Sequence, residues 1–444
     1  MKRVMIAGTN SGSGKTTLTI GLISALMKRG YEVSSFKCGP DYIDPMFHGK
    51  ILGASGRNLD SIFCDEATIC HLLRDYSKDF SVIEGVMGFY DGVLGKGSSA
   101  EVSRITDTPV ILVVDCKGMS ESMGAVISGF VNYKENNIKG VVFNRLPEGL
   151  TGMAMDICRE MGLKYLGRLP FNREYSLESR HLGLVTADEV AGLKEKVDLL
   201  SKAVEENFML DDIVNLADVA NIEIAVAYDK VVDNKPRIAI AKDEAFCFIY
   251  NDNVSYLEKA GCEVCYFSPL RDKKVPDEID GIIIPGGYPE LYLSELSSNI
   301  DMLKSVRECV NKVPTIAECG GFMYLHDCIK TDDEYKMAGV INGTVTKKER
   351  LVRFGYVNMK SDKDSLFGDS NICVNAHEFH YFDSDNNGSD MDITKLSNQT
   401  NYKSVHLNEN MYAGFPHIYF YGNREAADNF IKKCSEYKKK REAE

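Results

Sequence analysis

Arg3-Val-Met-Ile-Ala-Gly8-Thr-Asn-Ser-Gly-Ser-Gly14-Lys15-Thr16-Thr17 decides the fold of the first half of this chain. The apolar run 3–8 reads as a buried strand, a Gly/Ser-rich turn follows, and Lys15 to Lys28 has the composition of a helix. Strand, glycine turn and helix in that order are the context a phosphate-binding P-loop requires. Glycines such as Gly12 and Gly14 let backbone N–H groups converge on phosphate oxygens, and the first turn of the helix, with Thr16 and Thr17, adds positive partial charge. Lys15 is placed to neutralise the β- and γ-phosphates of ATP, and the Thr16 hydroxyl to ligate Mg2+. Gly8 and Gly14 enclose five residues where the common spacing has four, with Thr9 in the place of the usual first glycine.

Working outward, β-branched runs recur at 32–37, 81–86, 109–115 and 139–144, with helix-length segments between the last three. Strands alternating with helices predict a parallel sheet covered on both faces, an α/β fold. A second series starts after Pro236, with strand runs at 237–242, 263–268 and 281–285. The 444 residues are about twice what one hydrophobic core organises. The expected division is therefore a P-loop domain over 1–190, a helical linker over 191–235 and a second α/β domain over 236–444. Thr186 and Glu189 form a candidate capping box at the head of the linker helix, where Val190, Leu193, Val197, Leu200 and Val204 recur at helical spacing. The polar stretch 384–401 reads as a surface loop.

Lysine and arginine total 52 against 65 aspartates and glutamates, a net charge of −13. An acidic surface repels phosphate backbones, so no nucleic acid partner is expected. No apolar run approaches the ~18 residues of a membrane helix, and the start does not read as a secretion signal, so no membrane partner is expected either. The basic run 438–441 reads as a solvated helix end. Thirteen cysteines without framework spacing fit reduced thiols in a cytoplasmic protein.

A nucleotide site also needs carboxylates. In Ser81-Val-Ile-Glu84-Gly-Val-Met-Gly-Phe-Tyr-Asp91 a strand ends in an acid and glycines lead to a second. Glu84, at a strand C-terminus where open α/β sheets place ligand groups, is assigned to Mg2+. Lys37 ends the second strand run near the phosphates and can stabilise a transferring phosphoryl group. Asp41 and Asp44 follow in a Gly/Pro loop read as non-helical, which can aim two carboxylates at metal or substrate; Asp41 is a further metal candidate. Asn144, after the fifth strand, is assigned to reading the purine.

In the second half, Val313-Pro-Thr-Ile-Ala-Glu318-Cys319-Gly320-Gly321 runs a strand into a cysteine, two glycines and a helix. A nucleophile at such a sharp turn is exposed on a strained backbone, and a helix start favours the thiolate. Gly287, in the turn after the strand 281–285, and Gly320 are the candidate oxyanion donors. His417 is the candidate base.

Strand–Gly-Gly, cysteine elbow and late histidine, in this order, resemble class I glutamine amidotransferases. Their usual third member is a glutamate two residues after the histidine, where this chain has Tyr419. Taken whole, the sequence resembles the cobyrinate a,c-diamide synthase family through GTNSGSGKTT, FKCGPDYIDPMFH, IEGVMGFYDG, FNR, IIIPGGYPE, AECGGFMYL, RFGYV, HEFHY and GFPHIYFYGN. The longer P-loop spacing is shared with the related dethiobiotin synthetases, and the family's glutaminase domain characteristically lacks the usual glutamate.

The resemblance implies a dethiobiotin-synthetase-like P-loop domain followed by a class I glutamine amidotransferase-like domain. It implies a ligase using Mg2+, ATP and L-glutamine to amidate the a and c acetates of cobyrinate, a corrinoid polycarboxylate, through acyl phosphates in cobalamin biosynthesis. The same chemistry on Ni-sirohydrochlorin or hydrogenobyrinate is the alternative. Under it Lys37, Asp41, Asp44 and Asp91 serve transfer and orientation, while Arg353, Tyr356, His377 and His380 help form the macrocycle site or a domain interface. A homodimer is an assembly this reading allows.

Overall fold

The computed structural model describes residues 1–175, 187–223 and 230–443. It divides into two compact units, Met1–Val226 and Ala227–Glu444.

In the first unit seven strands form one sheet: β1 (Lys2–Gly8), β2 (Val33–Cys38), β3 (Gly56–Leu59), β4 (Phe80–Glu84), β5 (Val110–Asp115), β6 (Ile138–Asn144) and β7 (Lys164–Leu169). Their order is β3-β2-β4-β1-β5-β6-β7 and every pairing is parallel. β1 is central because Val4, Met5, Ile6 and Ala7 are apolar in succession, as a strand covered on both faces needs. Helix α1 (Lys15–Lys28) leaves its C-terminal end and buries Leu18, Leu22 and Ile23. The loop between β1 and α1 thus lies at the carboxyl edge of the sheet.

Most of the expected linker belongs to this unit. The helix Ala187–Asn207 buries Val197, Leu200 and Val204 in the same core as β1 and α1, and Leu210–Leu216 adds Leu210 and Ile213. Arg3, 1% exposed, donates to the carbonyls of Thr106 and Ala220, so the chain stays fastened to β1 well beyond residue 190. The helical periodicity marked an amphipathic face, and such a face requires a core to cover it. Thr186, the expected cap, lies outside the described residues.

In the second unit β8 (Arg237–Ala241), β9 (Glu263–Phe267), β10 (Gly281–Ile284), β11 (Thr315–Glu318) and Met411–Gly414 are parallel, in the order Met411–Gly414, β11, β10, β8, β9. The two-residue strand His406–Leu407 adds an antiparallel edge. Beside this sheet, Arg353–Lys360 pairs antiparallel with Cys373–His380, which pairs with His417–Ile418.

Two expectations change here. Within 384–401, read as a loop, Met391–Lys395 is a strand paired with Arg353–Lys360 and Asn401–Ser404. Met391 and Ile393 are buried while Asp392 and Thr394 face outward, a period-2 signal hidden by polar neighbours. The basic run 438–441 is not merely solvated: Arg441 in the helix Arg424–Ala443 pairs with buried Asp280, and Lys438 donates to the Lys235 carbonyl. All thirteen cysteines are free, and no described helix is long and apolar enough to cross a membrane.

Candidate active site

The first unit gathers its chemistry at the carboxyl ends of β1, β2 and β4. Gly12 and Gly14 take positive φ, 78° and 97°, which only glycine adopts without strain. A Cβ on Gly14 would lie 2.2 Å from Asn144 Nδ2, so the loop also needs glycine for space. Asn144 Nδ2 donates to the Ser13 carbonyl at 2.9 Å. One N–H of that amide, assigned above to a purine, thus braces the loop. Lys15 is buried and its Nζ donates to the carbonyls of Asn10 (3.1 Å) and Met87 (2.5 Å). Burial and the charge of Lys37 lower its pKa. Thr17 follows, partly exposed, in the first turn of α1.

Behind the loop is a buried charge cluster. Thr16 Oγ1 donates to Glu84 Oε1 at 2.6 Å, and Lys37 Nζ reaches the same oxygen at 2.9 Å and Asp44 Oδ2 at 2.5 Å. Burial alone would lower the Lys37 pKa, but Asp44 and Glu84 hold it well above its ordinary value. Glu84 is 0% exposed, and burial followed by the charge of Asp44 raises its pKa. Asp44 shifts the other way: burial pushes it up, and Lys37 more than reverses that. Asp41 is partly exposed; desolvation and Asp44 raise its pKa, and its Oδ1 accepts from the Ile43 N–H. Asp91 is exposed and accepts from the Gly88 N–H at 2.8 Å.

The segment carrying Asp44 is not the irregular loop expected. Ile43–Phe47 is a short helix with Pro45 in its first turn, where no intrahelical N–H is needed. His48, which the sequence reading passed over, stands behind the cluster: Nε2 is 3.8 Å from Glu84 Oε2, and Nδ1 is 2.5 Å from Ser35 Oγ. Burial lowers its pKa to about 4.

These donors fit Mg2+. The ion keeps several waters and takes one or two protein oxygens beside substrate phosphates, and the Thr16 hydroxyl with the Glu84 carboxylate offers that pair. No group of three or more His, Cys, Asp or Glu suited to a metal occurs among the described residues.

In the second unit three neighbouring parallel strands each end at the site. β10 leads to Gly286 and Gly287, β11 to Cys319, and Met411–Gly414 to His417. Cys319 has φ 47° and ψ −103°, the strained turn expected of a nucleophile elbow, and its N–H donates to the Gly414 carbonyl at 2.8 Å. The helix behind it, Gly320–Tyr324, is a single turn. A Cβ on Gly286 would lie 3.3 Å from both Cys319 Cβ and His417 Nε2 and 2.5 Å from His417 Cε1. The thiol carbon and the imidazole Nε2 thus flank one small space, which glycine keeps open. A Cβ on Gly320 would come 3.1 Å from the Gly287 nitrogen, which sets the two candidate oxyanion glycines side by side.

The remaining residues do not form one group. Tyr356 pairs with His377, and His377 with His417, so these three lie in one row across the sheet. Arg353 and His380 pair on the opposite face. Arg353 stacks on the Tyr402 ring at 3.9 Å and lies 3.7 Å from buried Glu378, so its charge is partly committed. His380 is 4% exposed, stacked on Phe415 at 3.8 Å, with Nδ1 2.6 Å from the Phe382 carbonyl. It is a packed core histidine, and its odd spacing from His377 on a strand rules out a shared metal. Sequence reasoning missed Glu318. Its Oε2 lies 3.5 Å from His417 Nδ1, and its Oε1 accepts the Ile418 N–H at 2.9 Å.

Two family models match in the same arrangement: a CobQ/CobB/MinD/ParA nucleotide binding domain over residues 4–185, and a CobB/CobQ-like glutamine amidotransferase domain over 237–425. A cobyrinate a,c-diamide synthase of Priestia megaterium is 38% identical, covering 99% of this chain and 98% of the relative. The chain belongs to the cobyrinate a,c-diamide synthase family. Relatives of the same name in Clostridium acetobutylicum (37% identical, 97% of this chain and 100% of theirs) and Fusobacterium nucleatum (39%, 95% and 98%) span the family more widely. ATP and glutamine use is consistent with the two matched domains.

Proposed function

We propose that this chain is a glutamine-hydrolysing ligase that amidates the a and c acetate carboxylates of cobyrinate at the expense of ATP, in cobalamin biosynthesis. The observation that carries the reading is one chain with a Lys15–Thr16 phosphate cradle and a Cys319–His417 pair, aligned nearly end to end with relatives of that name. Its thirteen free thiols suit a reducing cytoplasm.

In the first unit a substrate carboxylate oxygen attacks the γ-phosphorus of ATP, ADP leaves, and a mixed acyl phosphate forms. Lys15 and the loop N–H groups hold the phosphates, and Lys37 meets the charge that builds on the phosphoryl oxygens. Thr16 and Glu84, with Asp41 nearby, would hold Mg2+, which when bound neutralises phosphate charge. Asp44 keeps Lys37 protonated and oriented, while Asp91, at the mouth of the loop, meets substrate or ammonium. In the second unit the Cys319 thiolate attacks the glutamine amide carbon, and the N–H groups of Gly287 and Gly320 receive the oxyanion. Protonated His417 gives its proton to the departing ammonia, and water then releases glutamate from the thioester. Ammonia displaces phosphate from the acyl phosphate, and a second round completes the diamide. Tyr356 and His377, in the row that ends at His417, are better placed than His380 to meet a substrate.

The test is a count of amides by mass spectrometry after incubation with ATP, Mg2+ and glutamine. Cobyrinate should gain two amides and then stop, faster than Ni-sirohydrochlorin or hydrogenobyrinate is converted. A product with four new amides, or a preference for another macrocycle, would overturn the substrate assignment.

A further inference from the structure

The position where class I glutaminases carry their third catalytic-site member is closed in this chain. Tyr419 is 0% exposed, with its ring edge-on to Tyr250 at 4.9 Å. Another carboxylate reaches the imidazole instead. Glu318 ends β11, one residue before the nucleophile, and is 5% exposed. Its Oε1 is fixed by the Ile418 N–H at 2.9 Å, which aims Oε2 at His417 Nδ1, 3.5 Å away. The opposite ring nitrogen, Nε2, faces the space it shares with Cys319.

We propose that Glu318 is the positioning residue of this thiol–imidazole pair: it fixes the tautomer that presents Nε2 to Cys319 and stabilises the imidazolium formed when the thiol ionises. The role rests on the glutaminase reading given above. A carboxylate on Nδ1 keeps the proton there while the ring is neutral, leaving Nε2 free to accept from sulfur.

Three further titratable groups lie near the pair. His377, paired with His417 across the strands, is lowered to about 3 by burial and by His417 itself. His380 is lowered to about 4, chiefly by burial. Buried Tyr412 is pushed far up by desolvation and spends its hydroxyl on the Pro416 carbonyl at 2.8 Å. Burial would lower the His417 pKa too, yet Cys319 and Glu318 together raise it to about 10. A buried imidazolium needs a fixed anion, and Glu318 is built into the same turn as the nucleophile.

The decisive variant is Glu318→Gln. The new side chain can still accept from Ile418 N–H through its oxygen, which turns its amide N–H toward Nδ1. Nδ1 must then accept, the ring proton moves to Nε2, and the base faces Cys319 in the wrong tautomer. We expect kcat for glutamine hydrolysis to fall about 10²- to 10³-fold with the glutamine KM changed by less than about threefold. The alkaline limb of kcat/KM should move to lower pH, because the imidazolium loses its anion. Ammonium-driven amidation should stay within about twofold of the parent enzyme, since it bypasses the pair. Glu318→Asp, which keeps the charge, should recover part of the glutaminase rate. Unchanged glutamine hydrolysis in Glu318→Gln overturns the assignment. So does loss of both activities that Glu318→Asp does not relieve, which would make the side chain a structural one. If Cys319→Ala still hydrolyses glutamine, the fault lies with the glutaminase reading and not with Glu318 alone.

Discussion

Cys319→Ala will lower glutamine-driven amide synthesis by about four orders of magnitude or more, while synthesis from ammonium chloride continues at close to the parental rate. In the proposed reaction the thiolate forms the covalent bond to the substrate carbon, so no neighbouring group replaces it. The substitution is small, and Cys319 sits at a strained φ of 47°, so alanine inherits the strain but adds no bulk. On the proposed reading, phosphoryl transfer is assigned to residues of the other unit. Steady-state rates with the two nitrogen sources, measured on one preparation, check the outcome. Equal loss with both would mean that the cysteine supports more than ammonia release.

Lys15→Ala has the complementary signature. It removes the one buried cation of the phosphate loop, whose Nζ now rests on the Asn10 and Met87 carbonyls. Those carbonyls are weak partners for an ammonium, and a phosphate can displace them. We expect ATP-dependent product to fall about 10²- to 10³-fold with glutamine and with ammonium alike. Glutamine hydrolysis at Cys319, assayed separately as glutamate release, should survive. Retained synthesis would place the nucleotide elsewhere in the molecule.

How much of this was readable in the sequence depends on how local the signal is. The P-loop was legible because strand, glycines, lysine and hydroxyl occupy one continuous stretch whose chemistry fixes its order. The sharp strand-to-helix turn at Cys319 was legible for the same reason, from a strand run followed by Cys-Gly-Gly. The extent of the first domain was not, because helix 187–207 shows its amphipathic spacing plainly but not which core it covers; only tertiary packing on α1 and β1 decides that. The strand at Met391–Lys395 was lost among polar neighbours, since a strand buried on one face carries only two or three apolar residues.

Site partners made by distant segments were the hardest to see. Glu318 stood beside Cys319 in the sequence, but its meeting with His417, ninety-nine residues later, depends on β11 and Met411–Gly414 being neighbours in register. The expectation followed the position of a familiar glutamate and found Tyr419. Asn144, at the end of β6, likewise has a partner that no local pattern announces: one amide N–H braces the loop through the Ser13 carbonyl. Arg353, Tyr356, His377 and His380 were grouped because they lie in the family-like segments RFGYV and HEFHY. The pleat separates them, placing Tyr356 and His377 with His417 and the other two on the far face.

The central claim is that ATP activates the substrate carboxylate as an acyl phosphate before nitrogen arrives. Its most direct test uses cobyrinate whose carboxylate oxygens carry 18O, turned over with ATP and glutamine, with the released inorganic phosphate examined by mass spectrometry. The account predicts one labelled oxygen in phosphate for each amide formed. Amide formation that leaves the phosphate unlabelled would contradict it.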